Sequence, residues 1–175
     1  LYGESYAEGR GYEALSGHLA SALRSGSTSV VIAALDSIIM IDAHPSQYLA
    51  LFITIGDAYW ILGNTQKAYE LYTRVRQAGL SPGLNESALL RSLAVKDTTI
   101  SAPLRSYFMS DVNDTLRLDM VTNAPSQSPN HWMLQYLKGR LLLRMRQYQE
   151  SLDRLTSLTL APEDSLLEAF RLRMI

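Results

Sequence analysis

The sequence contains no cysteine, so it forms no disulfide, offers no thiolate to a metal and carries no cysteine nucleophile. Lysine is scarce too, present only as Lys67, Lys96 and Lys138, and the formal net charge is −1. A chain so close to neutral lacks the basic field that gathers nucleic acid or anionic lipid, and neither is expected as a partner. Long apolar runs are also missing. The two most apolar stretches, residues 30–41 and 48–62, are interrupted by Asp36 and Asp57. Both fall short of the roughly 18 to 20 uninterrupted residues of a spanning helix, so this segment is not expected to insert into a membrane. There is no phosphate-binding loop, because Gly9, Gly11 and Gly17 precede no basic P-loop residue. The three histidines, His18, His44 and His131, lie far apart. None has the i, i+4 histidine partner and glutamate of a helical zinc site. No metal and no cofactor is expected.

What remains is the composition of a folded chain: 175 residues, 47% hydrophobic and 19% charged. That is too apolar for disorder and long enough for a substantial core. The chain opens at Leu1 without a basic and apolar leader pattern, so any targeting signal is expected outside it and the compartment stays open.

From Tyr48 to Pro82 the residues read as two amphipathic helices joined at Gly63-Asn64. Phe52, Ile55, Gly56 and Tyr59 mark a face of the first, and Ala68, Leu71, Tyr72 and Val75 a face of the second. Asn64 or Thr65 is suited to cap the second helix, and Gly79 with Pro82 to close the unit. Gly56 and Ala68 stand twelve apart, where antiparallel helices need small side chains to approach closely. Ala22 with Ala34 and Gly139 with Ser151 repeat that spacing. Apolar residues follow each second member at the fourth and seventh positions: Ile38 and Ile41, Tyr72 and Val75, Leu155 and Leu158. Pro45, Pro82 and Pro162 close the three windows.

Gly56, Tyr59, Ala68 and Tyr72, with Gly63 at the turn, resemble the tetratricopeptide repeat of about 34 residues. The expected fold is therefore all-α, with antiparallel helix pairs stacked as a tetratricopeptide-like right-handed solenoid. On that pattern residues 1–14 are an N-terminal tail or helix, and 15–48 and 49–82 are tandem repeats. Residues 83–131 form an irregular helical unit ending in a loop, and 132–175 a further repeat with the start of a capping helix. Within 83–131, Asn85 is expected to cap a helix through Ala88 and Leu93, and Pro103 to open another through Leu104 and Phe108. Residues 124–130, with two prolines among serine, glutamine and asparagine, are expected to be a loop.

Catalytic chemistry finds little support. Gly3-Glu4-Ser5-Tyr6-Ala7 resembles the nucleophile motif of serine carboxypeptidases and related α/β-hydrolases, but the closing glycine is Ala7. No strand pattern precedes Ser5 and no alternation of strands and helices follows it, as such an elbow requires. Glu163 and Asp164 follow Pro162, where acidic side chains favour a helix start. Asn85-Glu86-Ser87 and Asn113-Asp114-Thr115 match the glycosylation pattern, which matters only in a secreted eukaryotic setting.

The resemblance implies that the first helix of each pair lines a concave surface. It places Ile53, Asp57, Trp60 and Ile61 on that surface in one repeat and Tyr136, Arg140, Leu143 and Arg144 in the last. Arg140 and Arg144 stand one helical turn apart, suited to receive acidic side chains or a carboxylate. The expected function is a non-catalytic protein–protein interaction scaffold that binds a partner peptide or helix in this groove. The alternatives are a helical accessory domain of a larger enzyme, such as a hydrolase, and a self-associating module in which exposed end-repeats or residues 166–175 pack on a second copy.

Overall fold

In the computed structural model the described residues are 11–40, 49–79, 81–125, 127–128, 130–158, 165–172 and 174. Among them every regular element is a helix: α1 (Gly11–Arg24), α2 (Thr28–Met40), α3 (Leu51–Ile61), α4 (Thr65–Ala78), α5 (Pro82–Lys96), α6 (Ser101–Met109), α7 (Asp114–Thr122), α8 (His131–Arg144), α9 (Tyr148–Thr156) and α10 (Ser165–Leu172). The all-α expectation holds for these residues. The chain divides into two compact units, Leu1–Ser92 and Leu93–Ile175. Ser5, His44, Pro45, Pro162, Glu163 and Asp164 fall outside the described residues.

In the first unit α3 packs against α1, α2 and α4. The α3–α4 pair shows why its sequence forms a hairpin of helices. Gly63 turns the chain with φ +81°, a left-handed conformation that glycine adopts without strain. Asn64 then caps α4, its side chain accepting from the Lys67 N–H at 3.2 Å. A Cβ at Gly56 would lie 2.6 Å from the Tyr72 ring, so only glycine lets α4 come this close. Ala68, Leu71, Tyr72 and Val75 are all buried, as their spacing predicts. At the far end Gly79 takes the left-handed C-terminal cap with φ +62°. Pro82 opens α5 rather than closing α4, because proline suits a first helical turn, where its missing N–H costs nothing. Ser81 supplies the cap by accepting from the Leu84 N–H at 3.3 Å, so the expected cap at Asn85 lies one turn too late.

Three helix pairs turn in the same way. The N–H of Gly63 donates to Trp60 O at 3.1 Å and that of Asn64 to Tyr59 O at 2.9 Å. Gly26 and Ser27 repeat this with Leu23 and Ala22, and Arg146 and Gln147 with Leu143 and Leu142. Arg146 does so as a non-glycine residue at φ +63°. Aligning the pairs on this turn shifts the first one. A turn seven residues after Ala22 would fall at Ser29, whereas the structure turns at Gly26. Leu19 and Val31, both buried, then take the places of Gly56 and Ala68. The Ala22–Ala34 register expected from spacing is not the one that packs, and Ala34 is only half-buried.

In the second unit α7 packs against α6 and α8, and α9 against α8. A Cβ at Gly139 would lie 2.6 Å from Leu155, and the Ser151 hydroxyl donates to Gly139 O at 2.8 Å. The small-residue pair here is therefore joined by a hydrogen bond as well as by contact. The 123–130 segment is a loop at its described positions. It is pinned at Asp97, whose carboxylate accepts from the Ser128 hydroxyl, from Asn130 Nδ2 at 3.0 Å and from the Thr99 N–H at 3.0 Å. Burial works against the charge of Asp97, but these hydrogen bonds outweigh it and hold the carboxyl below its ordinary range.

Candidate functional site

The expected groove residues of the first unit lie mostly inside it. Ile53 is buried, Trp60 is 1% exposed and Asp57 is 5% exposed. Nearly the whole circumference of α3 is covered, so no single face of it serves as a surface. Trp60 meets the Tyr72 ring edge-on, centroids 6.5 Å apart, and is a packing residue here. Asp57 is the acceptor of a buried network. The Tyr72 hydroxyl donates to its Oδ1 at 2.6 Å, and Arg91 donates from Nε at 2.9 Å and from Nη2 at 3.3 Å to the two carboxylate oxygens. Ser87 accepts from Arg91 Nη1 at 2.6 Å. Every charge in this network has a near partner, as a buried ion pair requires. Burial first, and the Asp57 charge second, push the Tyr72 hydroxyl well above its usual pKa. Of the four expected positions only Ile61 is exposed, beside the exposed Leu62.

The second unit divides differently. Tyr136 is fully buried and is a core residue, but Arg140 and Leu143 are half-buried and the Arg144 side chain is 57% exposed. Their neighbours are supplied by α6 and α7. Asn113 caps α7 by accepting from the Leu116 N–H at 3.0 Å, which sets Asp114 as the first residue of the helix. Arg117, one turn on, donates from Nη2 to Ser110 O at 3.1 Å and thereby holds the α6–α7 connection against α7. Arg144 Nη2 on α8 lies 3.1 Å from Asp114 Oδ1, and Arg117 Nη1 lies 3.8 Å from the same oxygen.

Tyr107 on α6 completes the cluster. Burial raises its hydroxyl pKa, the positive charges of Arg140, Arg117 and Arg144 act to lower it, and Asp114 acts to raise it. The groups that act on this hydroxyl are thus three guanidiniums and one carboxylate, drawn from two helices, α7 and α8. Such a cluster suits an oxyanion, since guanidinium presents paired N–H donors to two oxygens at once. Among the described residues no group of three or more histidine, aspartate or glutamate side chains is arranged to hold a metal ion.

Arg140, Leu143 and Arg144 were singled out in the sequence, and the structure leaves the first two half-buried and the third exposed. Tyr107, Asp114 and Arg117 were not singled out as binding residues. The i, i+3 pairing of Asp114 with Arg117 is visible in the sequence, but its meeting with α8 depends on how α7 packs.

No protein-family model, curated protein or solved structure matches this chain. Among the described residues no helix is long and apolar enough to cross a membrane.

Proposed function

We propose that the chain is a non-catalytic helical scaffold that binds a peptide or helix of another protein along α8. The observation that carries this reading is the meeting of Arg117 and Arg144 at Asp114, with the half-buried Arg140 and Leu143 on the same helix as Arg144. Arginine is among the residue types enriched in binding hot spots. The scaffold is proposed to be tetratricopeptide-like, its helix pairs stacked as a right-handed solenoid. Support comes from the turn geometry shared by three pairs and the close approaches at Gly56 and Gly139. The near-zero net charge favours a protein partner over nucleic acid.

The double variant Arg140→Ala, Arg144→Ala tests this. It should keep the helical content of the wild type and lose the bound partner protein, whereas Ile61→Ala in the first unit should retain it. Loss with both variants, or with neither, overturns the assignment to α8.

A second reading is self-association through α9, where Tyr148 (62% exposed) and Leu152 (39% exposed) stand one turn apart. Light scattering across a concentration series should then show a dimer that Tyr148→Ser dissolves. A monomer at all concentrations sinks that reading.

A further inference from the structure

We infer that Arg117 and Arg144 form a carboxylate-binding site that Asp114 occupies in the free protein, and that an acidic side chain of a partner peptide displaces it. The inference rests on the reading of α8 as the docking face and names the chemistry recognised there. One oxygen, Asp114 Oδ1, is shared by guanidiniums from two helices, at 3.1 Å from Arg144 and 3.8 Å from Arg117. Both contacts are ion pairs, the first close and the second loose, so Asp114 holds neither arginine by a paired, two-oxygen contact. The Nε of Arg117 is buried without a hydrogen-bond acceptor, so Asp114 leaves this guanidinium only partly satisfied.

Asp114 is well placed to give way. It is the first residue of α7, and the cap of that helix is made by Asn113, so turning the aspartate side chain outward breaks no bond of the cap. In that position it still faces the positive end of the helix. The exposed half of Arg144 is the route by which an incoming carboxylate reaches the cluster. A glutamate side chain in an extended peptide has the reach and the two oxygens to engage a guanidinium in bidentate fashion, which the single shared oxygen of Asp114 does not achieve.

The test is fluorescence anisotropy of the full chain with a labelled peptide of alternating glutamate and serine, and with its glutamine counterpart. Wild type should bind the glutamate peptide and not the glutamine one, and more weakly as salt is raised. Asp114→Asn and Asp114→Ser should each bind it about fivefold tighter, and Arg144→Ala about fivefold weaker, the scale of a half-exposed ion pair. Circular dichroism confirms that each variant is folded. If wild type binds but both Asp114 variants bind equally or more weakly, Asp114 positions the arginines rather than occupying their site, and this inference falls while the docking face stands. If no form binds the glutamate peptide, the carboxylate site itself is wrong, and the retention of the partner protein by the Arg140→Ala, Arg144→Ala variant decides the docking reading separately. Much tighter binding of a phosphoserine peptide than of the glutamate peptide overturns the ligand class.

Discussion

The Tyr72 hydroxyl donates to Asp57 Oδ1 at 2.6 Å, joining α4 to α3 at a point where the same carboxylate also receives Arg91 of α5. Three helices of the first unit therefore meet on one buried anion. Removing a single member leaves the others without their partners in a medium that does not solvate them.

Arg91→Leu is accordingly expected to destabilise the first unit by about 3 to 5 kcal/mol, the cost of stranding a buried carboxylate. Tyr72→Phe should cost less, about 1 kcal/mol, because Arg91 still neutralises Asp57. The pH dependence has a definite sign. The folded hydroxyl titrates above its unfolded value of about 10, so its stabilisation is complete below that pH and is lost as pH rises toward the folded value. Urea unfolding at neutral pH and near pH 11 should show a smaller alkaline loss for Tyr72→Phe than for wild type. Equal losses would remove Tyr72 from the account.

The glycines offer a test of packing that is independent of charge. Gly56→Ala places a methyl group against the Tyr72 ring and should destabilise by about 1 to 3 kcal/mol despite the better helix propensity of alanine. Gly139→Ala meets the more adaptable Leu155 side chain and should cost less. Gly17→Ala on α1 has open space around it and should stabilise by up to about 1 kcal/mol. Thermal melts of the three variants should rank in that order, and a neutral Gly56→Ala would contradict the close approach of α3 and α4.

Asp97 makes the loop before α8 dependent on acid. Because its folded pKa is depressed, its stabilisation is present above the unfolded value of about 3.9 and disappears as pH falls through the folded value. Asp97→Asn should cost about 1 to 3 kcal/mol at neutral pH, and the gap to wild type should close as pH falls through the folded value. A gap that persists in acid would assign the loss to packing instead.

Trp60→Ala separates core from surface. Truncating a side chain that is 1% exposed should cost about 3 to 5 kcal/mol, read as a fall in the denaturant midpoint. A stable variant that loses only partner binding would restore Trp60 to a surface role.

How far the sequence discloses this arrangement depends on whether a signal is local. The α3–α4 and α8–α9 hairpins were legible because Gly56 and Gly139 mark places where a side chain has no room. The Ala22–Ala34 spacing imitates that signal, but alanine fits many surroundings, and the turn at Gly26 sets a different register. Helices within 83–131 were legible while their starts were not: Ser81, rather than Asn85, caps α5. Trp60 and Asp57 were misplaced because α3 is covered on nearly all sides, and helical periodicity distinguishes faces only when one of them meets water. On α8 Arg140 and Leu143 are half-buried and Arg144 is exposed. Tyr107, Asp114 and Arg117 join them only through the packing of α6, α7 and α8, which no local pattern encodes.

The central claim, that α8 holds another protein, is tested most directly by a photo-crosslinking amino acid placed at Leu143 and, as a control, at the exposed Glu150 of α9. Irradiation in the source lysate should join a single protein to the chain from position 143 and not from 150, and an excess of glutamate-rich peptide should suppress it. Equal crosslinking from both positions, or none from 143, would contradict the account.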